Sequence, residues 1–396
     1  MGVRLSRIWF RINVYAAVEK ISRRFFDTTG LYVMSRPISV TIHMNALRSN
    51  LERVRVTAAG RDIWAVVKAN AYGHGLTNAV QAFEKAEGLA VLEVSEAIRA
   101  RTLGWKKRIL LLEGFFEDAD IENLETYDIE TVVHSTWMID ALKRHAPHSK
   151  IKCHIKINSG MNRLGFLNFE CPEVHAMLES IPGVSVVGVM THFANAEPTY
   201  LADGPATVDK QLARIGRLKQ LDSGVCLANS AATLFRPEVG GDSVRAGIVL
   251  YGASPDKHIS NEELGIRPAM TFAAKIIAIQ QIAPGEAVGY GSRWVAKRPS
   301  RIAVVACGYA DGYPRTMPDG APTYVEGKIA PLAGAVSMDM LAIDVTDVPQ
   351  ADIGSVVELW GEHILVNDLA DYCGTIGYEL LCALAPRVPI RISENN

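Results

Sequence analysis

Five apolar runs in this chain give way to a reactive or charged side chain. Asp62-Ile63-Trp64 leads into Ala65-Val66-Val67-Lys68-Ala69-Asn70-Ala71-Tyr72-Gly73-His74-Gly75, so that a lysine, a tyrosine and two glycines follow an unbroken apolar stretch. Lys156 ends the run from Ile151 to Ile155 and is followed by Ser159-Gly160-Met161-Asn162-Arg163. Thr191-His192 closes a third run, Asn229-Ser230 a fourth, and Arg245 stands inside Val244-Arg245-Ala246-Gly247-Ile248. A lysine at the end of a buried strand presents a partly desolvated amine, and the neutral amine is the nucleophile that condenses with a carbonyl. The plainer reading of Lys68 is a lysine that snorkels to solvent. Taken together, an amine for an aldehyde carbon, glycine-loop N–H groups and hydroxyls (Ser230, Tyr72) for a phosphate, and an arginine for a ring nitrogen describe a site for pyridoxal phosphate.

Other chemistries fit less well. No G-x-G-x-x-G or G-x-x-x-x-G-K-[ST] stands between a strand and a helix, which disfavours dinucleotide or triphosphate binding. No H-x-x-E-H or H-E-x-x-H is present, so no metal site is implied. The 41 basic and 43 acidic residues give a formal charge of −2, which argues against a nucleic-acid or membrane-surface role. The six cysteines form no C-x-x-C pair and several sit in apolar runs, the usage of free thiols in a reducing, cytoplasmic setting.

The elements that must position these groups follow from periodicity. Apolar runs near 62–67, 89–92, 108–112, 130–133, 151–157, 184–191, 225–228 and 244–251 alternate with amphipathic stretches such as Thr77 to Ala86, Ser95 to Leu103, Thr136 to His145, Pro172 to Ser180 and Val208 to Leu221. Alternation of this kind predicts parallel strands with crossover helices, and a count of eight favours a closed (β/α)8 TIM-type barrel over residues 34–264. The seventh unit shows little helix after Ser230. From about residue 265 short β-rich runs separated by Pro-Gly and Asp-Gly turns predict a mainly β C-terminal domain over 265–396, to which the alternating strand near 38–42 could also pair. Residues 1–33 differ, with six basic side chains against two acidic ones. Their apolar stretch is too broken to span a membrane. An amphipathic presequence is one reading; the one preferred is that Met34 is the natural start and 1–33 lies outside the folded domain.

The chain from Met34 onward resembles the alanine racemases of the bacterial barrel-plus-β-domain type. The likeness covers about nine tenths of the sequence and rests on the 65–75 segment, on Ser159-Gly160-Met161-Asn162-Arg163-Leu164-Gly165, Thr191-His192-Phe193, Arg245-Ala246-Gly247-Ile248, Val288-Gly289-Tyr290-Gly291, Gly308-Tyr309-Ala310-Asp311-Gly312-Tyr313, Ser337-Met338-Asp339 and Ile376-Gly377-Tyr378-Glu379. It implies interconversion of L- and D-alanine by two bases acting on an aldimine of pyridoxal 5'-phosphate, for peptidoglycan supply or alanine catabolism. Lys68 would be one base and Tyr290, from the partner subunit of a homodimer, the other. Tyr72, Ser230, Gly247, Ile248 and Tyr378 would hold the phosphate, His192 would pack near the ring and Arg245 would face its nitrogen. Arg163 and the Met338 N–H would bind the substrate carboxylate, and Tyr309 and Tyr313 would narrow the entrance. Lys156, seven residues before Arg163, stands where the family often has a carbamylated lysine; the alternative is an unmodified lysine paired to an acid. A phenol acting as a base at neutral pH needs a nearby cation, a role open to Arg163. Related readings are a broad-specificity or serine/lysine racemase, a decarboxylase of basic or meso-diamino acids, and a non-catalytic pyridoxal phosphate carrier. The paired Lys68 and Tyr290 and the β domain favour the racemase.

Overall fold

Ile63 to Val67 is buried on every side, and the architecture follows from enclosing it. The computed structural model describes residues 36–145, 147, 150–200, 204–216 and 224–394; the expectations for residues 1–33, and the end of the helix expected to reach Leu221, lie outside them. From Ile38 onward the chain forms one unit. Eight parallel strands, β2 (Asp62–Val66), β3 (Gly88–Val91), β4 (Arg108–Leu111), β5 (Glu130–Val133), β6 (Ile151–Lys156), β7 (Val184–Met190), β8 (Gly224–Cys226) and β9 (Ser243–Ala246), close into a barrel in which β9 pairs with β2. This is the TIM-type barrel expected from the alternation. Two elements differ from their expected form. The apolar run 244–251 breaks at Gly247 into β9 and a 3-10 turn, Ile248–Tyr251. The seventh unit does have a helix, Ser230–Phe235, too short to leave a periodic signal.

The floor of the barrel is polar. Trp64 occupies the interior beside Gly88, where a Cβ would overlap its indole. The Arg108 guanidinium lies 4.5 Å over that ring and forks onto the Glu130 carboxylate at 2.7 and 2.9 Å. The same carboxylate accepts from His154 Nε2 at 2.7 Å, and His154 in turn fills the space left by Gly188. Large rings opposite glycines and a paired buried charge thus replace the usual layer of branched aliphatic residues.

The β domain is built on β10 (Met270–Ile282). This 13-residue strand pairs antiparallel with β1 (Ile38–His43), with Val356–Trp360 and with Ser300–Val305. Ile390–Ser393 joins β1 in parallel. Two short helices, Val366–Tyr372 and Gly377–Cys382, follow, and the second packs on the segment after β2. No helix among the described residues is long and apolar enough to cross a membrane.

Burial by itself would raise the Glu130 carboxyl, but the hydrogen bonds and charges of His154 and Arg108 outweigh it and hold it down at about 2. A carboxyl lowered on folding stabilises the protein above its unfolded value near 4.5 and loses that contribution as pH falls from there toward 2. Replacing Glu130 by glutamine is therefore expected to destabilise the protein by about 3 kcal/mol at pH 7 in urea unfolding. The gap should narrow as the pH is lowered to 3; a gap under about 1 kcal/mol at pH 7 would show that the ion cluster does not hold the barrel floor.

Candidate active site

Lys68 emerges from β2 into a turn of unusual hand. Ala69, Asn70, Ala71 and Tyr72 all have φ between 51° and 56°, four successive non-glycine residues in the left-handed region. Each costs on the order of 1–2 kcal/mol relative to right-handed backbone. The surroundings hold the turn in place. The Ala71 N–H donates to Val67 O at 2.8 Å and the Gly75 N–H to Asn70 O at 2.9 Å. Asn70 Oδ1 accepts from the Leu76 N–H at 3.0 Å, while Glu96 accepts the Asn70 N–H at 3.3 Å. Gly73, at φ +77°, lets the Leu381 carbonyl approach so closely that any Cβ would overlap it. Beneath the turn the Tyr72 ring stacks on Tyr251 (4.7 Å, 25°), whose hydroxyl donates to Val66 O at 2.8 Å. The buried His74 packs against Tyr251 and donates Nδ1–H to Tyr72 O at 2.9 Å. The result aims the half-buried Lys68 and the Tyr72 hydroxyl into one cavity.

That cavity has a volume of about 520 Å³ and lies at the C-terminal ends of the barrel strands. It brings together ten residues expected from the sequence: Lys68, Tyr72, Lys156, Arg163, His192, Ser230, Arg245, Gly247, Ile248 and Tyr378. At one end the Gly247 N–H donates to Ser230 Oγ at 2.8 Å. A Cβ on Gly247 would sit 2.7 Å from Tyr72 Oη, so the two hydroxyls converge on bare backbone. Arg245, also in the lining and 4% exposed, donates to the carbonyls of Thr191 (2.6 Å), Cys226 (2.7 Å) and Leu227 (3.3 Å). Lys156, also buried, donates to Leu112 O at 3.1 Å. Burial, then the positive Arg245 and Arg163, pull its amine down to about 8 against the weaker opposing effect of Glu113. The same burial and the same cations, with Lys156 and Lys68, hold His192 well below the usual imidazole range, so it is neutral at pH 7. Four cationic side chains around one cavity make it a receptor for anions, and the hydroxyl pair with adjacent N–H groups suits a phosphate ester.

Three expected residues stand elsewhere. Tyr290 (72% exposed), Met338 (53%) and Tyr309 (40%) do not line this cavity. They share a face of the β domain: the Tyr309 N–H donates to Ser337 O, the Ala310 N–H to Met338 O, and Gly289 lies against Ala335. Tyr313 does not narrow an entrance. It is fully buried, its hydroxyl unpartnered among the described residues, because Gly312, at φ +105°, packs on Ala383 and Leu384 and turns the segment inward. The sequence reading gave no site role to Glu113, Glu379 or Cys382, which also line the cavity. Glu113 could have been found by the strand-end rule that picked out Lys68; the other two come from a helix far along the chain.

Comparison with known proteins agrees with this geometry. The sequence model of the alanine racemase N-terminal domain matches residues 42–255, and that of the alanine racemase C-terminal domain matches residues 269–392. The chain is 48% identical over 359 residues to an alanine racemase of Erwinia tasmaniensis, covering 90% of this chain and 99% of that protein. It is 47% identical over 361 residues to a protein described as a catabolic alanine racemase of Klebsiella aerogenes, covering 90% and 99%. The crystal structure of a biosynthetic alanine racemase from Pseudomonas aeruginosa superposes with a TM-score of 0.86 at 43% identity, covering 90% of this chain and 99% of that one.

Burial, partly offset by the backbone hydrogen bonds, lowers His74 from an ordinary value of 6.5 to about 4. A histidine that must stay neutral when folded costs stability as pH falls from the unfolded value to the folded one, here from about 6.5 to 4, by up to about 3 kcal/mol. A His74→Gln variant is therefore expected to lose about 3 kcal/mol less than the parent across that interval in urea unfolding. Identical slopes would mean that His74 is not held neutral under the turn.

Proposed function

The chain belongs to the alanine racemase family, and from that premise we propose that it interconverts L- and D-alanine with pyridoxal phosphate held in the barrel cavity. The observation that carries the reading is the meeting of the Lys68 amine, the Tyr72 and Ser230 hydroxyls and Arg245 in one cavity. The residues present fit the cofactor: hydroxyls converge on the bare backbone at Gly247, and a guanidinium fixed by backbone carbonyls lines the same cavity. When bound, pyridoxal phosphate supplies the electron sink that acidifies the α-proton of an amino acid.

The chain's own groups would do the rest. Tyr72, Ser230 and Tyr378, with the N–H groups at Gly247 and Ile248, hold the phosphate. Arg245, pinned by three backbone carbonyls, would stand as a permanent cation toward the ring nitrogen and so disfavour protonation there, which would limit side reactions such as transamination. Neutral His192 would pack near the ring without adding charge. Lys68 takes or returns the α-proton on one face of the substrate. A second base must act on the opposite face, because inversion removes the proton from one side and delivers one to the other. Tyr290 of the partner subunit is assigned that role in a homodimer with shared sites. The exposed grouping of Tyr290, Tyr309 and Met338 on the β domain supports this assignment. Arg163 supplies the cation that a phenolic base requires and a partner for the substrate carboxylate. Lys156, lowered to about 8 and surrounded by Arg245, Arg163 and Lys68, is suited to react as a neutral amine with carbon dioxide. Its nitrogen would gain a carboxylate and release a proton, placing an anion among the cations.

Incubation with each L-amino acid in deuterium oxide should give deuterium at Cα and the D-enantiomer with alanine foremost. Lys68→Ala should abolish both. Tyr290→Phe should keep the cofactor bound while racemisation falls about 100-fold or more in at least one direction; unchanged rates both ways would remove Tyr290 from the chemistry. Intact mass measured in bicarbonate should show one added carbon dioxide that is absent from Lys156→Arg. An unmodified parent would leave Lys156 a plain lysine beside Glu113.

A further inference from the structure

We propose that Gln211 is a positioning residue for Arg163 and His192, acting through a one-directional chain of hydrogen bonds beneath the cavity. The inference rests on the reading of Arg163 as a substrate-site residue. Gln211 lies on the helix Val208–Ile215, outside every motif described above, and is fully buried. Its Oε1 accepts the Ala194 N–H at 2.8 Å. Its Nε2 donates one hydrogen to Ser159 Oγ at 2.7 Å and the other to His192 O at 3.1 Å, so the amide is fully used.

The direction of the chain beyond it is fixed by counting protons. Thr191 Oγ1 donates its single hydrogen to Ile157 O at 2.8 Å. The 2.7 Å contact between Ser159 Oγ and Thr191 Oγ1 must therefore run from Ser159 to Thr191. Ser159 Oγ then has only acceptor capacity left, and Gln211 fills it. All three side chains are at least 99% buried, so none can turn to water for a replacement partner. The Thr191 carbonyl meanwhile accepts from Arg245 at 2.6 Å. One amide thus ties together the loop that carries Arg163, the strand end that carries His192, and the carbonyl that steadies Arg245.

The internal shape of the Arg163 loop has a different source. Asn158 Oδ1 accepts the N–H groups of Gly160 and Asn162, both at 3.1 Å, bonds that do not involve Gln211. What Gln211 controls is where that preformed loop sits against the barrel. A methionine at 211 keeps the volume but leaves Ser159 Oγ, the His192 carbonyl and the Ala194 N–H without their partner, a loss that the loop relieves by shifting. Displacement of even 1 Å at a substrate-orienting group is enough to cost rate far from the reacting atoms.

The test is a double-mutant cycle on the cofactor-loaded enzyme, with Gln211→Met, Arg163→Ala and both together, and with Ser159→Ala as a second probe that breaks the chain without altering the helix. Gln211→Met should lower kcat/KM for L-alanine racemisation about tenfold or more, mostly through KM, with the cofactor's visible absorbance retained. In the Arg163→Ala background the same change should cost less than about twofold. Amide hydrogen exchange of residues 158–165 should quicken about tenfold while the barrel strands keep their protection. Ser159→Ala should reproduce the pattern, and it decides the matter where Gln211→Met does not fold. An active parent with variants within twofold of it, or a tenfold loss that simply adds to that of Arg163→Ala, overturns the inference alone. A parent that racemises no amino acid overturns the functional reading on which it rests.

Discussion

Everything at this site depends on a left-handed turn that the chain would not adopt by itself. Were Ala69 to Tyr72 right-handed, Lys68 would begin an ordinary helix and the Tyr72 hydroxyl would point away from Gly247. The turn is affordable because its cost is distributed. Glu96 and Asn70 satisfy backbone groups on its outer side, Tyr251 and His74 pack beneath it, and the Leu381 carbonyl closes over Gly73. Those supports come from β3's following helix, from the 3-10 turn after β9 and from the last helix of the β domain. The position of Lys68 is therefore set by distant parts of the fold as well as by its own segment, which is how strained backbone persists.

Two opposite electrostatic solutions occupy the two ends of one barrel. At the floor, Arg108, Glu130 and His154 are mutually paired, and burial is offset within the chain. At the mouth, Lys68, Lys156, Arg163 and Arg245 face a single cavity, with Glu113 the one carboxylate that acts on Lys156. Burial and these cations lower Lys156 and His192, and a further anion, from outside the chain or made on a side chain, would offset that charge. A preference for anionic ligands follows from that excess of positive charge.

The sequence conveyed the barrel well because eight apolar runs and their intervening amphipathic helices have strong periods. It also conveyed the strand-end residues, since a lysine or arginine closing an apolar run is conspicuous. What it could not convey were features without a period. Ala-Asn-Ala-Tyr reads as helix or loop with no mark of handedness, apart from the glycines at 73 and 75. The run 244–251 reads as a strand because Gly247, where it breaks, looks like one more small residue. Tyr313 looked like its neighbour Tyr309, and only the packing of Gly312 on Ala383 and Leu384 separates a buried ring from an exposed one. Gln211 carries no sequence signal, because one polar residue on the buried side of an amphipathic helix is indistinguishable from imperfect patterning until its partners are known.

A single chain brings Lys68 into the cavity and leaves Tyr290 outside its lining. Inversion at a tetrahedral carbon needs a donor and an acceptor of protons on opposite faces, so a racemase needs a second group that this barrel does not itself hold there. The β domain carries a phenol and two further large side chains at a surface that does not line its own cavity, an arrangement that exposes apolar area without benefit to an isolated subunit. Both anomalies vanish together if the surface of one subunit completes the cavity of another. On that view the polar clamp under Arg163 matters more than its distance from the reacting carbon suggests. The guanidinium must meet a phenol delivered from outside the chain, and a loop fixed to the barrel by Ser159 and Gln211 offers the incoming subunit a target that does not move.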